Sequence, residues 1–312
     1  MGVVWDFIVS MMRESFPPKP TWTAEDIPDL TGKVVIMTGG SSGIGYEASK
    51  VLLSKGATVY IACRNPDIST LDEVKGKPGA KFLRIDLADL DSVQAAAQEF
   101  LRSESRLDVL YCSGGVMIPP VDQLSAQGYD LQFAVHVLGH HYLLKLLLPV
   151  LQQTAKLDTA QKPRVIAVSS GAHHLHKLDF DTLKDGPARR KVSTEGLYAQ
   201  SKFGTVVWAK ELGRRYGDEL VSLSLNPGNV ATNLQRRVTG FQRAMISWML
   251  HPVVPNGIVT HLYAGFAQET ADCNGKYLIP WARVGKPRAD TQDPKVGEAL
   301  WDWLEAQIAG RQ

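Results

Sequence analysis

The sequence predicts an α/β fold: a doubly wound, seven-stranded parallel sheet with helices on both faces. Three observations carry that expectation. From Lys33 onward, short β-branched runs alternate with longer helical stretches, the pattern of parallel strands joined by crossover helices. The first of these strands runs directly into a glycine-rich turn and then a helix. The alternation continues to the C-terminus with no internal repeat, no low-complexity segment and no second compositional regime, so residues 33–312 read as a single domain. That reading overrides the length prior, which at ~150 residues per domain would suggest two domains for 312 residues. With 44% hydrophobic and 21% charged residues the chain buries a sizeable core and is not disordered. Lys and Arg number 34 against 32 Asp and Glu, a net charge of +2, so no global field marks a nucleic-acid binder.

Residues 1–32 form an arm and a linker. The apolar start Gly2-Val3-Val4-Trp5-Asp6-Phe7-Ile8-Val9 is interrupted by Asp6 and ends by Arg13, far short of the ~20 apolar residues of a spanning helix. It lacks the basic lead and Ala-x-Ala site of a secretory signal. It reads as an amphipathic arm that docks on its own domain, on a second subunit or, least favoured, on a membrane surface. Phe16-Pro17-Pro18-Lys19-Pro20 follows as a stiff, extended link, because each proline fixes its own φ and restricts the residue before it.

Expected strands are Val34–Thr38, Thr58–Cys63, Phe82–Ile85, Val109–Cys112, Arg164–Ser169, Ser222–Asn226 and Lys276–Ile279. Expected helices are Ile44–Lys55, Leu90–Ser103, Tyr129–Thr154, Gly196–Tyr216, Leu234–Leu250, Gly257–Ala267 and Val296–Ile308. Trp301 and Trp303 in the last helix read as packing or subunit contacts, which leaves a homodimer open. Cys63, Cys112 and Cys273 are odd in number and widely separated, giving neither a disulfide framework nor metal-ligand spacing. A reducing, cytoplasmic setting is the simpler reading.

The chemistry begins at Thr38-Gly39-Gly40-Ser41-Ser42-Gly43-Ile44-Gly45. Glycines there allow a tight turn and close backbone approach, so a dinucleotide pyrophosphate can lie against the positive end of the following helix. The spacing G-x-x-x-G-x-G differs from the G-x-G-x-x-G fingerprint. At the end of the second strand, where Asp or Glu would bind a ribose 2′-hydroxyl, the chain has Cys63-Arg64-Asn65. A guanidinium pairs with a 2′-phosphate, so NADP(H) is favoured over NAD(H); the alternative is that Arg64 is an ordinary solvated arginine. Asp86-Leu87 either holds the adenine edge, or Asp86 caps the next helix.

Two Tyr-x-x-x-Lys matches occur. Tyr46/Lys50 lies just after the glycine turn, on the phosphate side, and reads as surface and core filler. Tyr198/Lys202 follows Val168-Ser169-Ser170, and helical spacing places both residues on one face. Carbonyl reduction needs an acid for the oxygen, and an adjacent ammonium is expected to lower a tyrosine from its usual ~10. A serine hydroxyl would polarise the carbonyl. His173, His174 and His176 crowd one loop, but without an accompanying carboxylate or cysteine cluster no metal site is expected. Phe241, Met245, Ile246, Trp248, Met249 and Leu250 recur at helical spacing, either as core or as the wall of a bulky, apolar substrate site.

Taken together, the T-G-x-x-x-G-I-G turn, Ser169-Ser170, Tyr198-x-x-x-Lys202 and Asn226-Pro227-Gly228 followed by Thr232 resemble, over Lys33 to about Tyr277, a short-chain dehydrogenase/reductase of the classical type. Ala62-Cys63-Arg64-Asn65, Ser169-Ser170-Gly171-Ala172-His173-His174 and the long gap to Tyr198 are similar to the retinol dehydrogenase and WW-domain oxidoreductase branch. The leader with Phe-Pro-Pro-Lys-Pro is similar to fungal, natural-product members. The resemblance implies a Rossmann-type domain with a small substrate-binding lobe after Thr232. It implies that Ser170 orients the substrate oxygen, Tyr198 is the acid/base and Lys202 supports it. Gly39, Ser41, Ser42, Gly43, Ile44, Gly45, Arg64, Asp86, Leu87, Ser113, Gly114, Tyr198, Lys202, Pro227, Gly228, Val230 and Thr232 would contact the cofactor. Two positions depart from the family pattern: Cys112-Ser113-Gly114-Gly115 replaces Asn-Asn-Ala-Gly, and His136 stands where a catalytic asparagine is expected. His136 either takes part in a proton relay to Lys202, adding a pH dependence between about 5 and 8, or packs as a helix histidine. The resulting expectation is an NADPH-dependent enzyme interconverting a ketone or aldehyde and an alcohol on a hydrophobic small molecule. The alternatives are a repurposed isomerase, epimerase or cyclase, and a non-catalytic NADP(H)-binding protein.

Overall fold

The computed structural model describes residues 2–64, 71–158, 161–232 and 250–311. Its sheet contains β1 (Val34–Thr38), β2 (Thr58–Cys63), β3 (Ala80–Arg84), β4 (Val109–Cys112), β5 (Arg164–Val168), β6 (Val221–Leu225), β7 (Tyr277–Ile279) and β8 (Arg283–Gly285). Their spatial order is β3-β2-β1-β4-β5-β6-β7-β8, and β1 to β7 are parallel. The seven expected strands are thus present, with small boundary shifts. The eighth pairs antiparallel on β7 through Leu278↔Val284; three residues are too few to leave a periodic signal.

All five residues of β1 are buried. Ile36 enters one core, while Val35 and Met37 enter the other, so a run without polar alternation is what a sheet covered on both faces requires. The first core packs against α3 (Leu90–Ser103), α4 (residues 131–157), α5 (Thr194–Tyr216) and α7 (Pro294–Ile308). The second packs against α2 (Gly43–Ser54) and α6 (Val259–Phe266). It also takes in Trp22, Ile27 and Leu30, so the segment expected as a linker contributes buried side chains to the folded core.

Helix α4 starts at Leu131, two residues later than expected, because the Asp130 carboxylate caps the Phe133 N–H at 2.9 Å. It widens into a π segment over Ala134–Leu138 and returns to α geometry over Gly139–Leu157. Gly139 is obligatory there: a Cβ would lie 2.3 Å from the Leu87 carbonyl oxygen. Among the described residues, α4 alone is long and apolar enough to cross a bilayer, yet 83% of its apolar stretch is buried within the protein, as a core helix is.

The arm is helical as α1 (Gly2–Ser15) and docks on its own domain, where Arg283 Nη2 donates to the Arg13 carbonyl at 3.0 Å. Trp301 and Trp303 pack within the chain, Trp301 edge-on to His141 and Trp303 edge-on to Phe133. The expected helix Leu234–Leu250 and its apolar stripe lie, apart from Leu250, outside the described residues. Strand order reverses between β1 and β4, and the crevice beyond the carboxyl ends of these strands is where such sheets bind ligands.

Candidate active site

At the end of β1 the glycine turn meets the loop after β4 with no side chain between them. Gly39 has φ +68°, and a Cβ there would lie 2.9 Å from Gly114 Cα. A Cβ on Gly45 would lie 2.7 Å from the Gly39 carbonyl oxygen, so helix α2 starts flush against the turn. Ser42 is its N-cap residue but makes no side-chain capping bond, which leaves the first helical N–H groups available to an anion. A Cβ on Gly43, at φ +55°, would lie 3.4 Å from the Thr232 side chain, so the two ends of the predicted cofactor set meet here. This cradle of bare backbone fits a dinucleotide pyrophosphate.

Thr38 holds the cradle together. Its Oγ1 accepts the N–H groups of Ser113 and Gly114, both at 2.8 Å, and lies 2.9 Å from the Tyr111 carbonyl oxygen and from His140 Nε2. The loop Cys112-Ser113-Gly114-Gly115 is thus fastened to the glycine turn through its backbone N–H groups. Ser113 Oγ lies 3.4 Å from His261 Nε2, while burial pushes the Cys112 thiol far above its ordinary range and leaves it inert. Leu87 is buried against Gly114. Asp86 accepts the Ala88 N–H at 2.9 Å, bracing the turn before α3, whose cap is Asp89. Arg64 is exposed where β2 ends; β2 is tied to the glycine turn by Gly39 N–H donating to the Ala62 carbonyl at 2.8 Å. Asn65 lies outside the described residues.

Helix α5, capped by Ser193 on the Gly196 N–H at 3.1 Å, presents Tyr198 and Lys202 one turn apart. Of the paired serines, Ser169 is consumed by structure, its hydroxyl donating to the Lys202 carbonyl at 2.8 Å. Ser170 lies beside Tyr198, and its Oγ accepts the Ala172 N–H at 3.2 Å. Burial raises Tyr198 to about 12, the Ser170 hydroxyl opposing it. The net shift is therefore upward, not the downward one expected from an adjacent ammonium. Lys202 Nζ, buried and itself depressed to about 7, lies 5.7 Å from the Tyr198 ring centroid and donates to the Val168 carbonyl at 2.9 Å.

His136 sits in the π segment of α4, its ring edge-on to Tyr198 at 5.8 Å between centroids. Its Nε2 accepts the Val116 N–H at 3.1 Å, so Nδ1 carries the proton and donates to Ser201 Oγ at 2.8 Å. Burial, then the Lys202 charge, hold it well below 6.5. Burial thus favours the neutral imidazole, against the expected titration between pH 5 and 8. The structure therefore brings Ser170, Tyr198, Lys202 and His136 together. Pro227 and Gly228 follow Asn226 at the end of β6, Gly228 in the left-handed region at φ +88°, while Val230 is buried in the second core.

Tyr46 and Lys50 lie on α2, where Lys50 pairs with Glu47 and Glu73 at 3.0 and 2.9 Å. Of the clustered histidines, His173 donates from Nδ1 to the Ser170 carbonyl at 2.7 Å and accepts the Arg288 N–H at Nε2. His174 Nε2 lies 3.3 Å from Glu14 Oε1. The roles of Thr38, His140 and Ser201 do not follow from the sequence alone. Thr38 and His140 do occur in patterns visible there, the T-G turn and an i, i+4 pair with His136.

A family model described as short chain dehydrogenase matches residues 33–180. A short-chain dehydrogenase/reductase of Armillaria gallica is 48% identical over 312 residues, covering 98% of this chain and 99% of that protein. Among solved structures, a protein of Mycobacterium paratuberculosis superposes with a TM-score of 0.70 at 27% identity, covering 91% of this chain and 96% of that one. The 3-ketoacyl-(acyl-carrier-protein) reductase of Brucella melitensis, complexed with NADH, has a TM-score of 0.61 at 20% identity, covering 80% of this chain and 96% of that chain, and it attests the fold.

Proposed function

The chain belongs to the short-chain dehydrogenase/reductase family, and from that premise we propose that it is a cytoplasmic, NADPH-dependent reductase of a ketone or aldehyde on a hydrophobic small molecule, in the manner of fungal natural-product enzymes. The observation that carries the reading is the Ser170–Tyr198–Lys202 constellation at the carboxyl edge of the sheet, beside the bare-backbone cradle. A bound nicotinamide supplies the hydride to the carbonyl carbon. Gly39, Gly43 and the N-terminus of α2 would hold the pyrophosphate. Arg64 would pair with the 2′-phosphate, which supports the preference for NADPH. Ser170 Oγ donates a hydrogen bond to the carbonyl oxygen and polarises it. Tyr198, protonated throughout the physiological range, gives its proton to that oxygen as negative charge develops, leaving the alcohol. Lys202, able to take up a proton near neutrality, offsets the resulting phenolate charge.

The test is Tyr198→Phe. NADPH oxidation with a panel of apolar ketones and quinones should vanish, while NADPH affinity stays within a few fold, because the hydroxyl serves chemistry and not cofactor binding. Substantial residual turnover would remove the assignment.

A further inference from the structure

We propose that Glu14, on the N-terminal arm, is a positioning residue: its carboxylate clamps together the loop that carries Ser170 and the loop that carries Pro227 and Gly228. The inference rests on the reductase reading above and adds a residue, and a segment, that lie outside the matched family region.

Glu14 is 4% exposed although it belongs to a terminal helix. A carboxylate is not taken out of water without partners, and each of its partners belongs to one of the two loops or to the strand beside them. Oε2 accepts from Asn226 Nδ2 at 2.7 Å and from the Tyr277 hydroxyl at 2.9 Å. Oε1 lies 3.3 Å from His174 Nε2. Asn226 in turn accepts the Gly228 N–H at 3.0 Å, so Glu14 reaches the nicotinamide-end loop through one side chain. On the other side, α1 lies directly on the residue after Ser170: a Cβ on Gly171 would be 3.4 Å from Glu14 Oε2 and 3.7 Å from Met11 Sδ. His173, its ring tilted 41° against that of His174 with centroids 3.9 Å apart, fixes the Ser170 carbonyl. One buried carboxylate therefore sets the spacing between the group that holds the substrate oxygen and the loop that faces the nicotinamide. Hydride transfer is sensitive to that spacing, since a misplacement of ~1 Å costs about 100-fold in rate.

The experiment compares the full-length protein with Glu14→Ala, Glu14→Gln and Tyr277→Phe. Glu14→Ala should lower kcat about 100-fold, with NADPH affinity and ketone KM within a few fold. Glu14→Gln, which keeps an acceptor for Asn226 and Tyr277, should recover most of that loss. Tyr277→Phe removes one donor and should fall between them, which keeps the test intact where Glu14→Ala does not fold. Amide hydrogen exchange should quicken in residues 170–175 and 226–229 of the variants and stay unchanged in residues 39–45. An unchanged kcat, a loss confined to cofactor affinity, or failure of Gln to rescue would overturn the clamp. If the unaltered protein and its Tyr198→Phe variant are equally inactive, the reductase reading fails, and the exchange pattern alone decides the clamp: uniform exchange across all three regions refutes it.

Discussion

Replacing Lys202 by methionine should destroy catalysis and, below neutrality, stabilise the fold. Lys202 is 5% exposed, and its ammonium donates to the Val168 carbonyl at 2.9 Å. Burial brings it from its ordinary 10.5 to about 7. Below pH 7 the group is protonated both folded and unfolded, and the native state carries the full cost of a buried charge. Between pH 7 and 10.5 the unfolded chain holds a proton that the folded chain has lost, so stability rises with pH in that window. Each pH unit there corresponds to ~1.36 kcal/mol, and the whole span to roughly 5 kcal/mol. Methionine is unbranched and one atom shorter than lysine, and has no charge to bury. Urea unfolding of both proteins between pH 6 and 9.5 should show the variant ahead at pH 6.5. Its lead should shrink by roughly 3 kcal/mol by pH 9.5, an estimate from the same slope. Titrating groups that Lys202 does not influence are common to both proteins and cancel in the difference, and the histidines that its charge lowers, His136, His140 and His261, are already pushed toward the neutral form by burial. A lead that is the same at both ends of the range would refute the reasoning, because the depression of Lys202 would then not be a folding cost.

Arg64→Asp should reverse the cofactor preference by turning an attractive charge into a repulsive one, read as the ratio of kcat/KM for NADPH over NADH; equal use of both by the unaltered protein removes the argument. Gly45→Ala places a Cβ 2.7 Å from a backbone oxygen that has no room to retreat. It should cost ~1–3 kcal/mol of stability and weaken NADPH binding, whereas Gly76→Ala, at φ +78° in open space, should lose about 1 kcal/mol and leave binding alone. An equal effect of the two on affinity would count against the cradle. His136→Asn should leave the shape of the pH–rate profile near neutrality unchanged, since burial favours the neutral imidazole; loss of a titration near pH 7 in the variant would refute this.

What is periodic or contiguous was legible in the sequence. The strands, the glycine turn and the Tyr198–Lys202 pair are each set within one element, where residue spacing determines which face a side chain occupies. What was illegible depends on contacts between distant segments. The π segment in α4 goes with the Leu87 carbonyl pressing on Gly139, the tautomer of His136 follows from Val116 and Ser201, and Thr38 works on a loop 75 residues away. The ionisation of Tyr198 ran opposite to expectation for the same reason. Sequence spacing shows that a lysine is near, but not that the lysine is buried with its ammonium turned to a carbonyl.

The Ser170 loop is held from both ends of the chain. Its carbonyl is fixed by His173, whose other nitrogen takes the Arg288 N–H, and its flank is covered by α1 through Glu14. Bringing together partners separated by 115 and 160 positions costs the entropy of closing large loops. During synthesis, the glycine turn and the Tyr198–Lys202 helix can form while Arg288 has yet to emerge. A product that stops short of Arg288 would carry every residue of the cofactor cradle and of the acid–base pair, and still lack the brace behind its serine.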